Sequence, residues 1–227
     1  MRNYDVVLFD FGGVFTASPF AAVIRYSTQI GLSPERLTEL VFGSYHVDTD
    51  HPWHQLERGE ISLEDARQAI LEHGQGDGVE VDIYQVFAAM ADDMQEDRGV
   101  NQALVEFAAE LVAAEYKLGI ITNNLKEFSE GWRALIPVDE LFDVVVDSSE
   151  VGMRKPNPAI YHHALAEAGL EDAGRAVFLD DYLGNVEAAN ALGITGLHVD
   201  GDQHKTISDL KRILDPKSPS PSQSGSG

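Results

Sequence analysis

Val6-Val7-Leu8-Phe9-Asp10-Phe11-Gly12-Gly13-Val14, close to the start of the chain, is an apolar run that breaks off at a carboxylate followed by two glycines. Four consecutive apolar residues bounded in this way suit a strand covered on both faces, as in a parallel sheet. Ligands of open parallel sheets bind just beyond the carboxyl ends of the strands, so Asp10 stands where chemistry is expected. The glycines let the backbone turn sharply and approach a ligand closely, because neither carries a Cβ. Taken alone, the stretch fits equally well an Asp that caps whatever follows the strand.

Outward from this strand the pattern becomes helical as far as about residue 95. Phe20, Val23, Ile24, Ser27 and Ile30 follow one helical face, and Ser33-Pro34-Glu35 opens a helix with proline in its first turn. Ser62, with Asp65 three residues on, caps another helix through Ala66, Ala69 and Ile70. The segment 74–78 is a glycine-rich connector, and Val79 to Met94 supplies a further helix. From about residue 97 helices and strands alternate. A helix carrying Val100, Leu104, Phe107, Leu111 and Val112 precedes a strand, Lys117 to Ile121, that ends in Thr122-Asn123-Asn124. A polar helical segment, Lys126 to Leu135, leads to a short strand, Phe142 to Val146, ending at Asp147. The loop Gly152-Met153-Arg154-Lys155-Pro156 and a helix from Pro158 to Ala168 come next. Ala176 to Leu179 is a strand ending in Asp180-Asp181, Asn185 begins a helix through Leu192, and Thr195 to Val199 is a last strand before a closing helix.

Parallel strands need crossovers, so repeated strand-helix units predict an α/β fold with a doubly wound parallel sheet. The expected organisation is a core from residues 1–14 and 97–214, a helical insertion at 15–96, and a disordered tail at 215–227 that is too poor in apolar groups to pack.

With 227 residues and 44% hydrophobic content the chain can build a proper core. It contains no cysteine, which excludes disulfides, thiolate metal sites and cysteine nucleophiles. No apolar run approaches the ~20 residues of a membrane helix, and the start lacks a secretory pattern, so the expected location is cytoplasmic. A formal net charge of -22 repels nucleic acid and anionic membranes, neither of which is an expected partner. Any phosphate must then be held by local cations.

Four segments place polar groups at what must be one edge of the sheet: Asp10, Thr122-Asn123, the loop bearing Lys155, and Asp180-Asp181. Three carboxylates in one small space raise each other's pKa unless a cation intervenes. Without cysteine or paired histidines, the natural ion is a hard, oxygen-seeking one such as Mg²⁺. A metal beside a carboxylate nucleophile, a lysine and a hydroxyl-amide pair describes a phosphoryl site. Each segment also has a plainer reading: Thr122-Asn123-Asn124 as a turn, Lys155 as a solvated cation, Asp180-Asp181 as a helix cap.

The ordered set of four resembles the motifs of the haloacid dehalogenase superfamily, most closely its phosphatase-like members with a helical cap inserted after the first motif. That resemblance covers residues 5 to about 200 and implies a Rossmann-like core. It makes Asp10 the nucleophile that forms an aspartyl-phosphate, with Thr122 and Asn123 binding the phosphoryl group and Lys155 pairing with nucleophile and phosphate. Asp181 becomes the Mg²⁺ ligand with Asp180 beside it, and the Gly12 main-chain carbonyl another metal oxygen. Asn185 stands where some members carry a later acid, and is expected to act through water or to start its helix.

One position departs from the pattern. Phosphatases of this superfamily usually carry a second Asp two residues after the nucleophile, to protonate the leaving alcohol and activate water; here the residue is Gly12. Loss of an acid-base group typically costs ~10²–10⁴ in rate. The dehalogenases have an aromatic residue there, and carbon-phosphorus cleavage needs a cap lysine, whereas residues 15–96 contain none. The implied function is a Mg²⁺-dependent phosphatase acting on a small phosphorylated substrate, the alternative being a very slow or non-catalytic phosphate-binding module. His51, Trp53 and His54 either face the pocket or, as expected of lone histidines, form a packed Trp with histidines at the surface; Glu57 and Glu60 are expected in solvent, and Arg154 either at an anion or at the surface.

Overall fold

The computed structural model describes residues 2–96 and 99–215, apart from the side chains of Pro19, Ala21 and residues 92–96. Of the expected tail, all but Asp215 lies outside these residues. The first strand, β1, is Val6–Phe9, and its four side chains are at most 2% exposed. Five helices follow: α1 (Pro19–Gln29), α2 (Pro34–Phe42), α3 (Pro52–Glu57), α4 (Leu63–Gly76) and α5 (Ile83–Glu96). Then come α6 (Gln102–Ala113), β2 (Lys117–Thr122), a 3-10 turn at Lys126–Phe128, α7 (Ser129–Arg133), α8 (Val138–Leu141), β3 (Val144–Asp147) and α9 (Ser148–Val151). The chain continues through α10 (Pro158–Glu167), β4 (Ala176–Asp180), α11 (Leu183–Ala191), β5 (Thr195–His198) and α12 (Gln203–Leu214). None of these helices is long and apolar enough to cross a membrane.

The five strands form one parallel sheet in the order β3-β2-β1-β4-β5, as the alternation of strands and helices predicts. Register aligns Phe9 with Ile120 of β2 and Leu179 of β4, so Asp10, the end of β2 and the end of β4 emerge side by side. Successive side chains of a strand face opposite ways, and β1 serves two cores accordingly. Val7 and Phe9 join Phe15, Leu104, Leu111 and Leu210 on one face, while Val6 and Leu8 meet Ile160, Tyr161 and Phe178 on the other. Each such side chain stabilises the fold by roughly 1.5–3 kcal/mol when fully buried. A third apolar cluster, which includes Leu37, Leu40, Trp53, Leu56, Ile70 and Val86, lies within the segment 23–90 apart from Leu125. Asn101 ties the two chain crossings between that segment and the sheet, donating from its backbone N to Phe15 O (2.7 Å) and from its side chain to Val14 O (3.2 Å).

Several local expectations are corrected. In α1 the buried face is Ala22, Val23, Tyr26 and Ser27, while Ile24 and Ile30 are 54% and 38% exposed. The helix expected from Val79 begins at Ile83, where the Asp82 carboxylate accepts from Tyr84 N at 3.0 Å. Lys126 to Leu135 is broken into the 3-10 turn and α7. Phe142 closes α8 instead of opening β3, because its ring packs against Phe9 and Phe15 with centroids 6.0 and 5.6 Å away. The Ser62 cap holds, with Asp65 N donating to Ser62 Oγ at 3.2 Å.

Candidate active site at the carboxyl edge of the sheet

Asp10 leaves the tip of β1 with its backbone N donating to Leu179 O at 2.7 Å, which fixes it between β1 and β4. Its Oδ1 accepts from Phe11 N at 2.6 Å and pairs with Lys155 Nζ at 2.8 Å. Phe11 is anchored against Trp132, ring centroids 4.7 Å apart, so the backbone that carries the carboxylate is held from the core side. Gly13 adopts φ +73°, and a Cβ there would overlap the carboxylate of Asp181. Both observations require glycine at that position. Gly12 borders the cavity in front of Asp10 and offers no side chain to it.

Lys155 is 1% exposed, and its ammonium bridges Asp10 and Asp180, the latter at 2.7 Å. Asn123 positions this lysine from the main chain: Asn123 Nδ2 donates to Lys155 O at 3.0 Å and Lys155 N donates to Asn123 Oδ1 at 2.8 Å. The Asn123 side chain, which also borders the cavity, thus holds the Lys155 loop while one of its N–H groups stays available. Thr122, 5% exposed, borders the cavity at the end of β2. Asp147, at the end of β3, stays out of the site: it accepts from Asn124, Trp132 and Ser149 and is fully buried.

Asp180 is fully buried and firmly held, since besides Lys155 it accepts from Tyr182 N at 2.8 Å and from Asn185 Nδ2 at 3.1 Å. Asp181 accepts from Ser18 Oγ at 2.5 Å and borders the same cavity as Asp10. Oxygens of Asp10, Asp180 and Asp181 lie within 4.8 Å of one another, the group among the described residues that could hold a metal ion. Asn185 Oδ1 is buried without a hydrogen-bond partner next to these carboxylates. An all-oxygen donor set with one oxygen left over fits a hard divalent cation.

The electrostatics point the same way. Burial raises the Asp10 carboxyl well above the ordinary range, and Asp180 and Asp181 add to this while Lys155 opposes it. Burial and then Asp180 lift Asp181 to about 6. Burial by itself would depress Lys155, but the attraction of Asp10 and Asp180 outweighs it and holds the ammonium above its usual value. One buried cation thus serves three carboxylates, leaving an excess of negative charge that a divalent ion relieves.

All of Asp10, Thr122, Asn123, Lys155, Asp180 and Asp181 converge here, as expected. Three residues take other places. Arg154 is not at the surface: it is fully buried, with Nε donating to the Glu57 carboxylate at 2.6 Å and both terminal guanidinium nitrogens buried without a hydrogen-bond partner. Glu57, expected in solvent, is 3% exposed on α3 and borders the cavity. His54, expected at the surface, is fully buried and its Nδ1 accepts from Thr49 N at 3.0 Å. Ser18 escaped sequence reasoning because a serine before Pro19 looks like a helix cap; it occupies that position, but its hydroxyl donates to Asp181 instead.

Comparison with known proteins identifies the family and the fold. The chain is 28% identical over 216 residues to the sesquiterpene phosphatase astK of Aspergillus oryzae, covering 93% of this chain and 97% of that protein. It is 27% identical to bifunctional epoxide hydrolase 2 of Mus musculus, covering 92% of this chain but 38% of that longer protein. The fold matches that of a haloacid dehalogenase family enzyme from Bacteroides thetaiotaomicron solved with magnesium and inorganic phosphate, with a TM-score of 0.59 and 20% identity over 88% of this chain and 96% of that one. The tips of β1, β2 and β4 and the loop bearing Lys155 meet at one acidic cluster, and since the model of the haloacid dehalogenase-like hydrolases matches residues 4–193, the chain belongs to that family of hydrolases.

Proposed function

We propose that the protein is a Mg²⁺-dependent phosphatase of small phosphorylated metabolites that works through an aspartyl-phosphate on Asp10. The observation that carries the reading is the Asp10 carboxylate, which borders a cavity, is paired with a buried ammonium and is clustered with two further carboxylates. Asp10 and Asp181, with the Gly12 carbonyl and with Asp180 behind them, would hold Mg²⁺. When bound, that ion supplies positive charge for the oxygens of the transferring group.

An Asp10 carboxylate oxygen attacks phosphorus; the bond from phosphorus to the ester oxygen breaks, and the electron pair leaves with that oxygen, which takes a proton from water. Water then attacks phosphorus and gives up a proton to the hydroxide left by the first step, the bond to Asp10 breaks, and inorganic phosphate departs as the carboxylate is restored. Lys155 stabilises the charge on the transferring group while keeping Asp10 oriented. Thr122 offers a hydroxyl, and Asn123 acts by holding the Lys155 loop. The helical segment 15–96 serves as a cap that shapes the cavity and keeps water from it.

The experiment is phosphate release from an aryl phosphate with Mg²⁺, by the natural protein and by Asp10→Asn. Loss of release in the variant is expected, and equal release from both overturns the assignment. Gly12 favours a second reading, a phosphate-binding module with very slow turnover, since no acid-base group stands beside Asp10 at that position.

A further inference from the structure

The cavity ahead of Asp10 is walled by rings from both sides. Phe20 lies 5.0 Å from Tyr45 and 5.7 Å from Tyr182, Trp53 meets Phe42 edge-on at 4.6 Å, and Phe87 meets Phe128 at 5.4 Å, measured between centroids. All of these rings border one space of about 230 Å³. Its volume lies just under the ~300–1,000 Å³ usual for small-molecule sites, so the group that fills it is compact.

Charge is as informative as shape. Among the described residues bordering the cavity, Lys155 is the one cation, and its ammonium is already shared by Asp10 and Asp180. Away from the phosphoryl end the one acid is Glu57, which Arg154 neutralises from behind. A carboxylate or second phosphate on the substrate would enter this space without a counter-charge of its own among the bordering side chains.

We propose that the phosphate ester taken by this site carries an uncharged, apolar organic group, a single ring or a branched hydrocarbon, and that Phe20, Phe87 and Phe128 determine that specificity. The inference rests on the phosphatase reading for its reactive end. A ring moved from water into this wall gains roughly 10–100-fold in binding. An apolar pocket rejects an added hydroxyl by about 10²-fold.

Phosphonates test the binding separately from turnover, because their carbon-phosphorus bond is not a substrate for this chemistry. The natural protein with Mg²⁺ is titrated calorimetrically with benzylphosphonate, hydroxymethylphosphonate and phosphonoacetate. Benzylphosphonate is expected to bind at least about 10-fold more tightly than either polar compound. Phe128→Ser, at a ring that is 43% exposed and so dispensable for folding, should remove most of that advantage and leave hydroxymethylphosphonate binding within about twofold. Phe20→Ser is the second variant. Equal or weaker binding of the benzyl compound, or variants that leave its advantage intact, overturns the proposal. Phosphate release is then compared for benzyl phosphate, isopentenyl phosphate, glycerol 3-phosphate and glucose 6-phosphate. Selective benzylphosphonate binding with no release from any ester would sink the phosphatase reading and sustain the inference about the cavity, whereas faster release from the two polyol phosphates would sink that inference and sustain the phosphatase.

Discussion

Replacing Lys155 with methionine keeps most of the apolar stem and removes the charge that sits 2.8 Å from Asp10 and 2.7 Å from Asp180. Removing one partner of a buried ion pair costs about 3–5 kcal/mol, because the other is left charged without compensation. Asp180 keeps the Tyr182 N–H and the Asn185 amide, so the deficit at pH 8 should stay within that range rather than double. The sign of its pH dependence follows from the carboxylates. Without the ammonium, Asp10, already raised by burial and by its acidic neighbours, rises further. A carboxyl raised in the folded state binds a proton that the unfolded chain lacks, so the variant regains stability as pH falls from that raised value towards the ordinary carboxylate range and loses it as pH rises. The gain reaches about 1.4 kcal/mol per pH unit for one proton. Urea unfolding of both proteins in EDTA at pH 8 and pH 6 measures this directly. A deficit under about 1 kcal/mol at pH 8, or one that does not shrink at pH 6, would show that Lys155 does not neutralise these acids.

Gly13→Ala should destabilise the protein by about 1–2 kcal/mol through its left-handed backbone and, by displacing the Asp181 carboxylate, weaken Mg²⁺ binding more than tenfold; calorimetry with Mg²⁺ decides, and unchanged affinity refutes the contact. Gly12→Asp restores an acid beside Asp10 and should speed release from alkyl phosphates by about 10²-fold while changing aryl phosphates far less, since phenolates depart without help; equal gains for both would refute the reasoning. Burial first, then Arg154 and His51, holds His54 at about 3. The unfolded chain therefore binds a proton below pH ~6.5 that the folded chain refuses, and stability falls with pH from there. Between pH 7 and pH 5 the loss should be about 2 kcal/mol larger than in His54→Gln, by urea unfolding, and parallel pH profiles would refute it.

The frame of the molecule was legible because parallel strands announce themselves twice, as unbroken apolar runs and as polar tips. β1 and β4 carry both signals, and the register that brings Asp10 beside β4 follows from the topology they imply. The helical segment was legible from its caps, Ser33 and Ser62. Phe142 was misplaced because an aromatic residue next to a strand has the same local pattern whether it continues the sheet or packs beneath it. Ile24 and Ile30 misled for the opposite reason: helical spacing names a face without saying which neighbour covers it. Arg154 and Glu57 stand 97 residues apart, and charged residues look solvated until the fold supplies each with the other. Asn123 was located correctly, yet its spacing could not tell that its amide would turn inward to the Lys155 main chain.

That buried Arg154–Glu57 bond also has a mechanical meaning. Glu57 rides on α3, while Arg154 immediately precedes the lysine that pairs with Asp10. Any swing of α3 that uncovers the cavity has to pull opposite charges away from each other while they are shielded from water, at a cost of about 3–5 kcal/mol until solvent reaches them. The same tether would tug on the backbone next to Lys155 as it strained. Opening the cavity on the α3 side would therefore load the short segment that places the Lys155 ammonium 2.8 Å from Asp10.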